Sequence, residues 1–229
     1  MAKRSLQDGS EIFDVTVLEA TIPVRIVLFA VGGGGNPERH LPLLACLAAS
    51  GCTVIAPHFE RLKSPRVTDQ DLWLRGRRLN LALDSIAPPD IQVTGLGHSI
   101  GATMLLALAG GQVWMHEGPH LSFVSVRRFA RLALLAPATG FFQAPNALNA
   151  VDTPILAWAG TNDTITPPGQ AEYLKQALGA RLPVEVRVVE GAGHFSFMNS
   201  PPPDTVEPLT NREDFLANLA NELRSFVTR

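Results

Sequence analysis

Six short runs dominated by apolar residues recur along this chain, each closed by glycine, proline or a polar turn before a longer amphipathic stretch. They span residues 24–31, 53–56, 91–96, 132–136, 155–159 and 184–189, and the first ends in four consecutive glycines, 32–35. Near-continuous apolar runs suit parallel strands covered on both faces, whereas half-solvated strands alternate. The stretches between them, 42–50, 69–86, 100–110, 168–178 and 211–227, carry apolar residues at spacings of three and four, the signature of helices with one buried face. Thr68 and Thr166 are expected to cap the second and fourth of these helices. Strand-helix alternation implies right-handed crossovers, hence an α/β fold: a mostly parallel, doubly wound sheet with helices on both faces, a three-layer sandwich. The run 12–18 alternates more clearly and is expected to form an antiparallel edge strand.

There is no internal repeat and no long linker, so the 229 residues are read as one domain, 1–229. Two connections, 111–128 and 139–153, are too short for a cap domain and predict a small lid or pocket wall. The proline-rich stretch 199–208 is an irregular excursion before the last helix. A hydrophobic content of 46% against 17% charged residues supports a sizeable core and excludes general disorder. Nineteen basic against 21 acidic residues leaves a net charge of −2, without the basic excess of a nucleic-acid binder or a reason to expect an anionic membrane as partner. The two cysteines, Cys46 and Cys52, are too few for a disulfide framework and lack the neighbours of a zinc site, so they read as buried thiols. The N-terminus lacks the apolar core of a signal peptide and no apolar run is long enough to span a bilayer; a cytoplasmic protein is expected.

The chemistry concentrates at three strand ends. Gly97-His98-Ser99-Ile100-Gly101 joins the run 91–96 to the helix 100–110. A serine at so tight a turn is forced into an exposed, strained conformation, beside the N–H groups that open the helix. A serine hydroxyl needs a base to be nucleophilic, and the base needs a carboxylate to orient it. Open parallel sheets put such groups at the carboxyl ends of later strands. Asp163 follows the run 155–159 and His194 follows the run 184–189, so the chain order is Ser, Asp, His. Asp152 is a rival acid, but it precedes its strand and points to the opposite sheet edge.

The loop 32–35 has neither the G-x-G-x-x-G of a dinucleotide site nor the Gly-Lys-Ser/Thr ending of a phosphate loop. Glycines there let the main chain approach a substrate, so the Gly33 N–H is expected to join that of Ile100 in an oxyanion hole. Gly34, His58, His98, Phe141, Phe142 and Phe195 are candidate pocket residues. His40, His116 and His120 read as surface or loop residues, and no histidine spacing supports a metal site.

With these residues in place, the chain resembles the α/β-hydrolase superfamily from residue 24 to its last helix. The segment Gly191-Ala192-Gly193-His194-Phe195-Ser196-Phe197 and the prolines after it resemble the dienelactone-hydrolase-like group. The resemblance implies an α/β-hydrolase fold with a minimal lid, Ser99 as nucleophile, Asp163 as acid and His194 as base. It implies no cofactor and a small-molecule acyl substrate. Two departures stand out: dienelactone hydrolases carry a cysteine where this chain has Ser99, and Val31-Gly32 replaces the His-Gly pair of many relatives. The expected activity is ester hydrolysis through an acyl-enzyme. A thioesterase, a peptidase, a cofactor-free haloperoxidase and a non-catalytic binding protein on the same scaffold are the alternatives.

Overall fold

In the computed structural model, which describes residues 1–63, 67–115 and 120–229, the apolar runs become neighbouring strands of an eight-stranded sheet. β3 (Arg25–Ala30), β4 (Cys52–Pro57), β5 (Val93–His98), β6 (Phe129–Leu135), β7 (Ile155–Gly160) and β8 (Val184–Val189) are parallel. β1 (Ala2–Asp8) and β2 (Glu11–Leu18) form a hairpin, and β2 pairs antiparallel with β4, giving the order β1-β2-β4-β3-β5-β6-β7-β8. The helices are α1 (Leu41–Ala49), α2 (Asp69–Ile86), α3 (Ile100–Leu108), α4 (Gly169–Leu178) and α5 (Arg212–Thr228).

Burial explains why the inner strands read as unbroken apolar sequence. In β3, Ile26, Leu28 and Ala30 enter the layer packed by α2, α3 and α4, while Val27 and Phe29 enter the opposite layer, packed by α1 and α5. Fully burying a side chain of this size is worth about 1.5–3 kcal/mol, and a strand covered on both faces gains it at every residue. β8 lies at the sheet edge; its exposed Glu185 and Arg187 alternate with the half-buried Val184 and Val186.

The run 12–18 is antiparallel as expected, but it is not the edge. β1 lies outside it, joined through the two-residue turn Gly9-Ser10 with Gly9 at φ +64°. The sequence of β1, Ala-Lys-Arg-Ser-Leu-Gln-Asp, is mostly solvated and so carries no apolar signature. Its last residue, Asp8, is nearly buried and pairs with Arg77 (2.7 Å) and Arg78 (3.1 Å), tying the hairpin to α2.

Thr68 caps α2 as expected, accepting from the Asp71 N–H at 3.2 Å while the Asp71 carboxylate accepts from the Thr68 N–H at 2.9 Å. Thr166 does not cap α4. That helix opens at Gly169 behind Pro168, and the Thr166 hydroxyl is drawn instead to Asp163. Cys52 is buried and Cys46 half-buried, and both are free thiols. Among the described residues no helix is long and apolar enough to cross a membrane.

Candidate active site

The sharpest local feature of the chain is the turn between β5 and α3. Ser99 there adopts φ 55°, ψ −125°, a conformation that residues with a Cβ rarely populate. The glycines of the motif allow it. A Cβ on Gly101 would fall 1.9 Å from the Ala30 carbonyl oxygen, so only glycine lets α3 start against the end of β3. A Cβ on Gly32 would meet the Ser99 Cβ at 3.4 Å and His98 Nδ1 at 3.0 Å, which places the glycine-rich loop directly beside the serine.

Ser99 and His194 line one cavity of about 550 Å³, together with Gly33, Gly34 and Ile100. Behind the imidazole, His194 Nδ1 lies 2.8 Å from Asp163 Oδ2, on a carboxylate fully shielded from solvent. Asp163 Oδ1 accepts from the Ile165 N–H at 2.8 Å and the Thr166 N–H at 2.7 Å. The Thr166 hydroxyl is 2.8 Å from Asp163 Oδ2 and 3.0 Å from His194 Nδ1. Burial alone would raise the Asp163 pKa; the hydrogen bond and charge of His194 and the Thr166 contacts outweigh it and hold the carboxyl below its usual value. An ionised Asp163 accepts from the Nδ1–H tautomer of His194, leaving Nε2 as the ring's free acceptor.

The other expected pocket residues divide. Gly34, Phe141 and Phe195 line the cavity. Phe142 does not: it is fully buried in the core, and Phe141, its neighbour in the short 3-10 turn Gly140–Phe142, packs against that core and reaches the cavity wall. His58 is also absent from the cavity wall. Its Nε2 lies 2.7 Å from the Thr16 hydroxyl, toward the hairpin side of the sheet. His98 is buried behind the site, its ring 4.9 Å from that of His194, and its Nε2–H donates to the His194 carbonyl at 3.0 Å. Burial, with the charges of His194 and His40, holds its imidazole well below the ordinary value, so it is neutral.

The stretch 139–153 contributes Gly140 and Phe141 to the wall, whereas 111–128 contributes nothing to it among the described residues. Phe123 of that stretch packs over Trp73 and Gly76 and walls a separate groove of about 600 Å³ against α2. That groove is slightly larger than the serine cavity, but no histidine is among its described lining residues, and chemistry outranks size between the two. Leu62, Val67, Ile165, Pro202 and Pro203 also line the serine cavity, and Arg39 and Arg61 are the cations among its described lining residues. Among the described residues no three His, Cys, Asp or Glu side chains converge as a metal-binding group.

Sequence reasoning missed three groups here. His40, expected on the surface or in a loop, is fully buried between Phe29 (ring distance 4.9 Å) and His98 (5.3 Å), and burial pushes its pKa down to about 3. His120 is half-buried against Trp114, and His116 lies outside the described residues. Thr166 was legible in principle, since a threonine three residues after an aspartate is a common local hydrogen-bonding pattern. Arg75 was legible too: it falls between Leu72 and Leu79 on the apolar stripe of α2, where a charge must be buried. Its guanidinium donates to the carbonyls of Val31 (3.2 Å), Gly32 (3.3 Å) and Glu60 (3.4 Å) and lies over the Phe59 ring.

No protein-family model matches the sequence, and no curated protein matches it. Solved structures do. An esterase from the planctomycete Thermogutta terrifontis superposes with TM-score 0.69 at 15% identity, over 98% of this chain and 90% of that one. An esterase from Pyrococcus furiosus gives TM-score 0.69 at 12% identity, over 100% of this chain and 92% of that one. An alpha-beta serine hydrolase homologue from Coxiella burnetii gives 0.65 at 17% identity, over 99% and 95%. With its sheet order and two helical layers, the chain has the α/β-hydrolase fold.

Proposed function

We propose that this chain is a serine hydrolase of small carboxylic esters, with Ser99 as nucleophile, His194 as general base and Asp163 as the group that orients it. The observation that carries this reading is the strained Ser99 sharing its cavity with an imidazole whose far nitrogen is held 2.8 Å from a buried carboxylate. His194 Nε2 takes the Ser99 proton as Oγ attacks the ester carbonyl, and Asp163 stabilises the imidazolium that forms. The Gly33 and Ile100 N–H groups receive the oxyanion; neither donates to a loop or turn carbonyl among the described residues. The imidazolium then protonates the leaving alcohol, and a water activated by the same base releases the acyl group. The fold neighbours agree with this chemistry: the Thermogutta esterase is also known phosphorylated by paraoxon.

The test is hydrolysis of p-nitrophenyl acetate and butyrate beside matched thioester and anilide substrates. Ester turnover that exceeds the other two is expected. A preference for the thioester or the anilide reassigns the chain to a thioesterase or peptidase, and no turnover of any of them refutes the enzyme reading.

A further inference from the structure

The oxyanion loop has a buried cation behind it. Arg75 is only 2% exposed, and its guanidinium faces backbone carbonyls, with no salt-bridge partner among the described residues. A buried guanidinium is costly unless it finds acceptors, and here three carbonyls accept from its two terminal nitrogens: Val31, Gly32 and Glu60.

The Gly32 carbonyl belongs to the same peptide unit as the Gly33 N–H. In a trans peptide those two groups point in opposite directions, and no peptide bond among the described residues is cis. The Gly32 oxygen accepts from the Gly35 N–H at 3.1 Å as well as from Arg75, and a cation that helps hold it inward also helps turn the Gly33 N–H outward; Gly33 lines the cavity that holds Ser99. The same contact withdraws electron density from the amide and makes that N–H a stronger donor, as hydrogen bonds in series do.

We propose that Arg75 is a positioning residue for oxyanion stabilisation, aiming and polarising the Gly33 N–H through the Gly32–Gly33 peptide. The inference rests on the serine-hydrolase reading and extends it to a side chain that touches no substrate. Deleting an oxyanion donor outright costs about 10²–10³ in kcat, and weakening one through its peptide should cost less, about 10- to 100-fold, with KM changed by less than about twofold.

The experiment compares wild type with Arg75→Met, Arg75→Gln and Arg75→Lys on an ester and on the matching thionoester. Sulfur is a poor hydrogen-bond acceptor, so the thionoester reads nucleophile and base without relying on the hole. Each preparation is normalised by fluorophosphonate titration of active sites, which restricts the comparison to folded enzyme. Arg75→Met should lose much more kcat on the ester than on the thionoester, lowering their ratio by about tenfold, and Arg75→Lys should recover part of it. Equal losses on both substrates, or an unchanged ester kcat in whichever variant folds, overturn the proposal. Absence of turnover and labelling in wild type would instead refute the serine-hydrolase reading beneath it.

Discussion

Ser99 is held at φ 55° by the elbow around it, and that strain is separable from its chemistry. Ser99→Ala should abolish ester turnover with little change in stability, because alanine keeps the Cβ that makes this conformation costly. Ser99→Gly should be equally inactive yet more stable by about 1 kcal/mol, measured by urea unfolding, since glycine adopts positive φ freely. A glycine variant no more stable than the alanine one would show that the elbow stores no such strain. Asp163→Asn should lower kcat by about 10³–10⁴, because an amide favours the wrong imidazole tautomer. Asp152→Asn should leave kcat unchanged; the reverse outcome would move the acid to Asp152. That Ser99, Asp163 and His194 share one edge of the sheet was readable because each lies within about five residues after a strand end, so the sheet sets where they meet. The buried His40 and Phe142 were not, since which way a loop side chain turns depends on packing that distant segments supply.

At the scale of elements, the inner strands and amphipathic helices were legible because burial on both faces, or on one, writes its own periodicity. β1 escaped detection because a solvated edge strand has little apolar surface to hide, and what fixes it is charge. The Asp8 carboxylate is raised by burial but lowered further by hydrogen bonds to Arg77 and Arg78 and by their charges, so its net pKa lies below the ordinary 3.8. A carboxyl depressed in the folded state adds stability that is fully present above its unfolded pKa and is lost as pH falls through the folded one. Asp8→Asn should therefore cost roughly 1–3 kcal/mol at pH 7, and the gap to wild type should close below about pH 4. Parallel melting curves at pH 7 and pH 3 check this, and a gap of constant size would remove the ion pair from the account. The cavity walls make a second forecast at this scale. They come from short loop pieces, Leu62, Phe141, Ile165 and Pro202-Pro203, with no cap domain among the described residues to sheathe a long chain. Each methylene adds about 0.8 kcal/mol only while it stays buried, so kcat/KM should peak at acyl groups of roughly two to six carbons. A maximum at ten carbons or more in an acetate-to-palmitate series would contradict the small pocket.

Across the whole molecule, chemistry gathers on one edge of the sheet because parallel strands point their carboxyl ends the same way. The turn after β3 brings the glycine loop, the turn after β5 brings Ser99, and the segments after β7 and β8 bring Asp163 and His194. Arg75 and Thr166 reach that edge from α2 and from the loop before α4, Arg75 against the Gly32 carbonyl and Thr166 against Asp163 and His194. The central claim is that this convergence makes Ser99 a nucleophile, and covalent capture tests it most directly. Wild-type protein treated with a fluorophosphonate should gain the mass of one phosphonyl group, mapped to the peptide bearing Ser99, while Ser99→Ala and heat-unfolded wild type stay unmodified. Labelling that persists in Ser99→Ala, or that never appears in the folded wild type, would contradict the account.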